Sequence, residues 1–166
     1  MNQSPYHLRR AEKAISEATE MFDVIATQKV MTIAMCRGSE PYLVSLNYGF
    51  DPTDRCFYFH CARDGKKMDF LKENPVVWGQ VVEDRGYLPG QCDHAFRCVM
   101  FRGSVEFLET EDDKRYSLEV MIDHCEPDPG PVKSRLLVKG KLDNVVVGRI
   151  RIDSMSGKQA HLDNQS

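Results

Sequence analysis

The sequence predicts a mainly β domain with flanking helices, an α+β fold organised around a small antiparallel barrel. The first observation is a series of short, β-favouring runs separated by Gly, Pro and Asp turn residues. The second is that few segments place apolar residues at helical spacing. The third is length, because 166 residues are enough to bury one core and fit a single domain. Short antiparallel strands close most simply into a barrel, which removes exposed edges.

The first half of the chain reads as a helix followed by a three-stranded meander. Residues 11–26 carry apolar side chains with a period near 3.6, which predicts an amphipathic N-terminal helix. Strands are expected over 28–36, 42–50 and 55–61, each separated from the next by a turn rich in Gly, Pro or Asp.

The second half alternates helices and strands. A short helix from Lys66 should stop before Pro75, and Thr110 with Asp113 forms a capping-box-like start for a helix to about His124. The other expected elements are a strand over 76–83, a loop over 84–95, a strand over 96–108 with a bulge at Gly103, a strand over 144–155, and a polar, frayed tail over 158–166.

Composition excludes several classes of protein. The net charge of −3 argues against a general nucleic-acid binder. No apolar run approaches the ~20 residues of a membrane-spanning helix, and the polar N-terminus shows no signal-peptide core, so we expect a cytoplasmic protein without a membrane partner. The six cysteines form no C-x-x-C pair, so we expect no metal site.

The segment 56–75 carries the clearest chemical signal. An aromatic strand ends at His60 and Cys61, a turn follows at Asp64 and Gly65, and Lys66 and Lys67 open the next helix. Lysines at a helix N-terminus oppose the helix dipole, and a bound phosphate would resolve that conflict. The alternative is a pair of lysines on a solvated helix face, and this segment taken alone favours that alternative.

The chain resembles the FMN-binding split-barrel proteins, the pyridoxamine 5′-phosphate oxidase-like superfamily, and within it the nitroimidazole-resistance (Nim-like) branch. The strand P-Y-L-V-S-L-N-Y-G-F is similar to that branch's P-Y-x-V-P-L-N-F-G-Y, and the pattern F-H, G-K-K and N-P follows in family order. Ser45, Cys61 and Cys98 depart from the usual residues of the branch. The similar segments are 30–35, 41–50, 57–60, 65–67, 74–75, 96–105 and 147–158.

The resemblance implies a fold, a cofactor and an assembly. The implied fold is a six-stranded antiparallel split β-barrel with residues 1–166 forming one FMN-binding domain. The implied cofactor is FMN, bound at the subunit interface of a homodimer. The resemblance places the FMN phosphate at Gly65, Lys66 and Lys67.

The remaining implied ligand contacts come from three strands. Ser45 and Asn47 alternate onto one face, where polar groups could hydrogen-bond the isoalloxazine, although a solvent-facing polar row explains them equally well. His60 is the candidate catalytic residue, but contact with the cofactor is the preferred role and a hydrogen-bonded strand-end histidine is the alternative. Arg97 and Cys98 match a segment that often reaches a ligand across the dimer interface, although an exposed edge charge explains Arg97 nearly as well. The implied cofactor-binding residues are Val44, Ser45, Leu46, Asn47, Phe59, His60, Cys61, Gly65, Lys66, Lys67, Arg97 and Cys98.

Three functions follow from the resemblance. The first is an FMN-dependent oxidoreductase that reduces a small aromatic or nitro-type substrate. The second is a flavin- or haem-binding module without turnover, a sensor, carrier or sequestering protein, in which His60 or His94 would be an axial ligand. The third and least favoured is pyridoxamine 5′-phosphate oxidase itself, whose arginine-rich closing motif this sequence lacks.

Overall fold

The computed structural model describes residues 10–138, 142 and 145–160. The strands are β1 (Ala14–Ile15), β2 (Val30–Arg37), β3 (Glu40–Asn47), β4 (Gly49–Asp51), β5 (Cys56–Cys61), β6 (Val76–Leu88), β7 (Asp93–Phe107) and β8 (Val146–Ala160). The helices are α1 (Ala18–Thr27), α2 (Lys66–Glu73), α3 (Glu111–Cys125) and α4 (Pro129–Leu136), and a 3₁₀ turn covers Ala11–Lys13.

All described strands belong to one antiparallel sheet with the order β3-β2-β6-β7-β8-β5-β4, and β1 adds to β8. The sheet curls but does not close, and its two edges, β3 and β4, are consecutive in the chain with only Tyr48 between them. This is the split-barrel fold that the sequence predicts. The strand count differs, eight instead of six.

Two local features account for the extra strands. The single strand expected over 42–50 is interrupted at Tyr48, because the chain there leaves its pairing with β2 and begins pairing with β5. Tyr48 is fully buried, and its hydroxyl donates to the carbonyl oxygens of Ile25 at 2.6 Å and Gln28 at 2.9 Å. The corner between the two sheet edges is therefore fixed to the end of α1.

The second extra strand replaces the start of the expected N-terminal helix. Residues 11–26 do not form one helix, because Ala14 and Ile15 pair with Lys158 and Gly157 of β8. Ile15 is buried in the core, so burial and strand pairing outweigh the local helical periodicity. Helix α1 begins only at Ala18.

The expected loop over 84–95 is instead a hairpin. After an irregularity between Asp84 and Tyr87, β6 continues to Leu88 and pairs with β7 from Asp93 onward. The Gly86 backbone has φ 99°, which a glycine tolerates and which lets the strand re-register. The bulge expected at Gly103 is confirmed by a register shift between Arg102 and Gly103.

The C-terminal strand is longer than expected. β8 extends through Ala160, which pairs with Phe96, so residues 158–160 are strand and not frayed tail. The rest of that expected tail, 161–166, and residues 1–9 of the expected domain lie outside the described residues. No helix in the described part of the chain is long and apolar enough to cross a membrane.

The core lies on both faces of β5. Phe57 and Phe59 project into the barrel, where Phe57 stacks on Phe101 with ring centroids 4.4 Å apart. Cys56 and Tyr58 project to the other face and pack under α3 against Met121. Helix α3 can lie close to the sheet because Gly49 has no Cβ. A Cβ there would fall 2.7 Å from the Met121 backbone. Burial on both faces holds β5 rigidly, and the next residue on its α3 face is His60.

Candidate functional site

The start of α2 presents backbone donors and two lysines together. Gly65 occupies the N-cap position with φ 122°, a conformation that side chains other than glycine rarely adopt. The first helical hydrogen bonds run from the Met68 and Asp69 N–H groups to the Gly65 carbonyl oxygen, at 2.8 Å and 3.2 Å. The N–H groups of Lys66 and Lys67 precede those bonds and point out of the helix start. This geometry suits an anion.

Lys66 connects this helix start to the edge strand β3. Its Nζ donates to Glu40 Oε1 at 2.7 Å and lies 4.9 Å from the centroid of the Tyr42 ring. The hydrogen bond and the charge of Lys66 lower the pKa of Glu40. Both side chains are about half exposed, so the pair is accessible and can exchange partners. Glu40, which contacts Lys66, was not among the candidate residues predicted from the sequence.

Lys67 lies beside the end of β5. Its Nζ is 5.5 Å from the centroid of the Phe59 ring, and no carboxylate of the described residues forms a salt bridge with it. Burial raises the pKa of the Cys61 thiol, and the Lys67 charge opposes that rise. The Cys61 Sγ lies 3.6 Å from Met68 Sδ of α2. The structure therefore brings Phe59, Cys61, Gly65, Lys66 and Lys67 together.

The four predicted residues of β3 alternate between two faces. Val44 and Leu46 pack against the barrel core, whereas Ser45 and Asn47 are exposed on the opposite face. Ser45 Oγ lies 3.2 Å from Thr32 Oγ1, and Asn47 Nδ2 donates to the Lys29 carbonyl oxygen at 3.1 Å. Because β3 is an edge strand, one row of its backbone groups has no partner strand within the described sheet.

His60 is exposed and faces away from the barrel interior, on the side of β5 covered by α3. It lies with Asn47 at a cavity of about 690 Å³ between β5, α3 and α4. His60 and Lys67 therefore approach the end of β5 from different sides, since Lys67 contacts Phe59. The cavity walls include Leu118, Met121, Ile122 and Val132, and its charged residues are Glu126 and Arg135.

Arg97 and Cys98 lie elsewhere in the same chain. Cys61 pairs with Val146 at the beginning of β8, whereas Cys98 pairs with Lys158 near its end, twelve residues further along the strand. Arg97 binds Glu83 and, at 2.7 Å, Asp23 of α1, and only 13% of its side chain is exposed. Burial raises the pKa of the Cys98 thiol to about 11. Neither residue joins the α2 group within one chain, and their expected reach across a dimer interface stays a prediction.

The α4 wall of the cavity was not predicted. The sequence analysis predicted a helix to about His124 and assigned no element between it and the strand expected over 144–155. The structure instead begins α4 there, with Asp128 as N-cap and Pro129 at the first helical position. Proline at that position is a recognised helix-start signal because its missing N–H needs no partner there.

Comparison with known proteins defines the class. The sequence model of the family described as pyridoxamine 5′-phosphate oxidase matches residues 17–159, so the chain belongs to that family. The family resemblance read from the motifs is thereby confirmed. The search of curated proteins found no match.

Solved structures share the fold at low sequence identity. A 5-nitroimidazole antibiotic resistance protein from Bacteroides thetaiotaomicron, described as putative, is 24% identical with a TM-score of 0.69, over 87% of this chain and 85% of that one. A FAD- and haem-binding protein from Mycobacterium smegmatis is 18% identical with a TM-score of 0.75, over 90% and 74%. The flavocytochrome Anf3 from Azotobacter vinelandii is 18% identical with a TM-score of 0.77, over 95% and 75%.

Proposed function

We propose that the chain is an FMN-binding protein that acts as a homodimeric oxidoreductase on a small aromatic or nitro-type substrate. The observation that carries the proposal is the start of α2, where two lysines and outward-pointing N–H groups converge beside the end of β5. Family membership supports a flavin at this place, and the names of three structural neighbours refer to nitroimidazole resistance, FAD with haem, and a flavocytochrome.

The residues present fit the phosphate of FMN. Among the described residues, Lys67 has no carboxylate partner and Lys66 pairs with one exposed carboxylate, Glu40. A Cβ on Gly65 would meet nothing within 4 Å. The open space at Gly65 lets an anion reach the helix start. Charge-assisted hydrogen bonds from the two ammonium groups would then hold the phosphate.

Strand β3 supplies the contacts proposed for the isoalloxazine. Its backbone groups along the sheet edge offer donors and acceptors to a flat heterocycle, and Ser45 and Asn47 add polar side chains on the exposed face. Val44 and Leu46 hold the strand in place through the core. When bound, the flavin supplies the electron-transfer chemistry, and the protein orients it and limits its access to water.

The homodimer is proposed from the exposed sheet face formed by β2, β3 and β6. Leu43 and Trp78 flank Ala34 in register and are 61% and 44% exposed, with Val30 and Val82 exposed on the same face. The apolar row of Leu43, Ala34 and Trp78 favours a partner surface, although Thr32 and Gln80 separate it from Val30 and Val82. Two-fold symmetry lets such a face pair with itself. Ser45 and Asn47 share this face, which supports a cofactor site at the subunit interface.

Cys98 supports the same arrangement more strongly than Arg97 does. Cys98 is buried, but it pairs with Val82 of the exposed face, so a partner docked there would lie close to its strand. Arg97 is already bound to Glu83 and Asp23. We therefore propose that Cys98 lines the interface and that Arg97 primarily fixes α1 to the sheet.

A binding module without turnover is the second candidate, supported by the exposed imidazole of His60. The alternative axial ligand, His94, has its Nε2 2.6 Å from Asp84 Oδ1. The absorption spectrum of the purified protein tests the two candidates. Bands near ~370 and ~450 nm support the flavoprotein, and a Soret band supports the haem module. A protein that shows neither, and binds no added FMN, contradicts the proposed function.

A further inference from the structure

The cavity between β5, α3 and α4 has the dimensions of a small-molecule site. Its volume of about 690 Å³ lies within the range of ligand pockets, roughly 300–1,000 Å³. Met121, Ile122 and Leu142 are buried in its walls, and Leu118 and Val132 are partly buried. The walls are thus mainly aliphatic, which suits an apolar molecule.

The cavity is held open by fixed contacts. Gly49 allows the α3 backbone to lie directly on β4, so the position of α3 is set by the sheet. Helix α4 is then attached to α3 at its middle and at its C-terminal end. Lys133 Nζ donates to Asp123 Oδ2 at 2.7 Å, and Arg115 Nη1 donates to the Leu137 carbonyl oxygen at 2.5 Å. These attachments keep the α4 wall beside α3 while a space is left over His60.

The polar groups of the cavity define the kind of ligand. Asn47 and His60 lie together on the sheet side and offer a hydrogen-bonding edge. Glu126 and Arg135 are exposed, one of each sign, so their formal charges cancel. A charged ligand would leave its hydration shell to enter mainly aliphatic walls without a net opposite charge, which is unfavourable.

We propose that this cavity binds an uncharged, largely apolar small molecule, with a polar edge directed at Asn47 and His60. The assignment of that ligand as the substrate rests on the proposed function, but its binding does not require the flavin. Residues of α4 would then determine ligand size, because α4 is attached to α3, whereas α3 packs directly on the sheet at Gly49.

Two fluorescent probes that share a skeleton test the proposal. N-phenyl-1-naphthylamine is uncharged, and 8-anilinonaphthalene-1-sulfonate carries a sulfonate, so their affinities compare charge at nearly constant shape. We expect saturable binding of the uncharged probe at one site per chain in flavin-free protein. The sulfonate should bind at least about tenfold more weakly. Equal affinities, or tighter binding of the sulfonate, would overturn the uncharged class.

Variants of α4 locate the probe. Val132→Phe places a ring in the cavity and should weaken binding of the uncharged probe at least about tenfold. Val138→Phe makes the same change at a half-exposed residue that does not line the cavity, and should alter affinity less than about twofold. Leu136→Trp repeats the test at a lining residue that is 49% exposed, where folding tolerates a larger side chain.

The outcomes separate this inference from the proposed function. Probe binding that Val132→Phe and Leu136→Trp leave unchanged, or no saturable binding by folded wild type, overturns the cavity assignment. If FMN binds but the probe does not, the flavin proposal stands and the cavity inference fails. If the probe binds and FMN does not, the cavity is a ligand site and the flavin proposal fails.

Discussion

Lys66 and Glu40 join the start of α2 to the first residue of β3 through a 2.7 Å hydrogen bond. The ammonium proposed to hold a phosphate is therefore already beside a carboxylate. Phosphate must compete with Glu40 for Lys66, whereas Lys67 has no such competitor among the described carboxylates.

Replacing Glu40 with Gln should tighten FMN binding. The change removes the negative charge beside Lys66 and frees the ammonium for the phosphate. Because solvent screens this exposed pair, the gain should be at most about fivefold. Glu73→Gln is the matched control, because it removes the same charge at the far end of α2. Fluorescence titration of FMN measures both, and weaker binding by Glu40→Gln would show that Glu40 assists the site.

Replacing Lys66 and Lys67 with Ala should weaken FMN binding without unfolding the protein. Each charged hydrogen bond contributes roughly 1.5–3 kcal/mol when sheltered, and less where solvent screens it, so we expect a loss of about ten- to hundredfold. Lys72→Ala, in the last turn of α2, is the control. Riboflavin lacks the phosphate and should bind all three proteins alike. An unchanged FMN affinity in the double variant would refute the phosphate assignment.

The substitution His60→Gln separates contact from catalysis. Gln keeps a hydrogen-bonding group of similar size, so a contact role predicts that FMN affinity and turnover change by less than about tenfold. A role as general base or attachment point predicts a loss of turnover of about a hundredfold or more with affinity preserved. We expect the first result. Intact-mass spectrometry adds an independent measurement, because an adduct present only in the wild type would establish covalent attachment.

Replacing Leu43 with Glu should dissociate the proposed dimer. Leu43 is 61% exposed on the apolar sheet face, and a carboxylate there would be desolvated without a partner. Val138→Glu introduces the same charge at a side chain that is 40% exposed and outside that face. Sedimentation velocity should give a dimer for wild type and the control, and a monomer for Leu43→Glu. Wild type that sediments as a monomer with FMN bound excludes the interface model.

Stability should decrease as the pH falls below about 6.5 because of His124. Burial is the largest cause of its lowered pKa, the Lys29 charge adds to it, and the hydrogen bond to the Gln28 carbonyl oxygen opposes it. A histidine with a lowered folded-state pKa contributes stability that is present above its unfolded value of 6.5 and lost as the pH falls through the folded value.

Urea unfolding measured between pH about 7 and about 5.5 checks this expectation. Wild type should lose unfolding free energy across that window, and His124→Gln should lose less, because glutamine does not titrate but can still donate to the Gln28 carbonyl oxygen. Identical pH dependence in the two proteins would assign the effect to other groups.

Local signals predicted the elements that local chemistry determines. Helix α2 begins at Lys66 and ends before Pro75 as expected, and Thr110 caps α3 by accepting from the Asp113 N–H group. The phosphate candidates could be identified because Gly65, Lys66 and Lys67 are adjacent in the chain. The prediction of a helix from residue 11 was wrong because Ile15 pairs with Gly157, which belongs to a strand far away in sequence.

The cavity could not be predicted because its parts come from distant segments. Only when the sheet has formed and α4 has packed on α3 do three distant residues line one cavity: Asn47 of β3, His60 of β5 and Arg135 of α4. Glu40 was missed for a similar reason, since its relation to Lys66 follows from the edge position of β3. Such contacts depend on strand register and on how the helices pack, and no local sequence pattern indicates either of these.

Tyr48 connects strand β3, which carries Asn47 of the cavity, to strand β4, on which α3 packs. Asn47 precedes it, Gly49 follows it, and its hydroxyl is anchored to the carbonyl oxygens of Ile25 and Gln28. The corner between β3 and β4 is thus fixed by a core side chain that does not line the cavity. Changing ligand size by altering the sheet would disturb that core, whereas α4 is attached through a few polar contacts and can be redesigned separately. If the cavity binds a ligand as proposed, substitutions confined to α4 would change which ligands fit without altering the barrel.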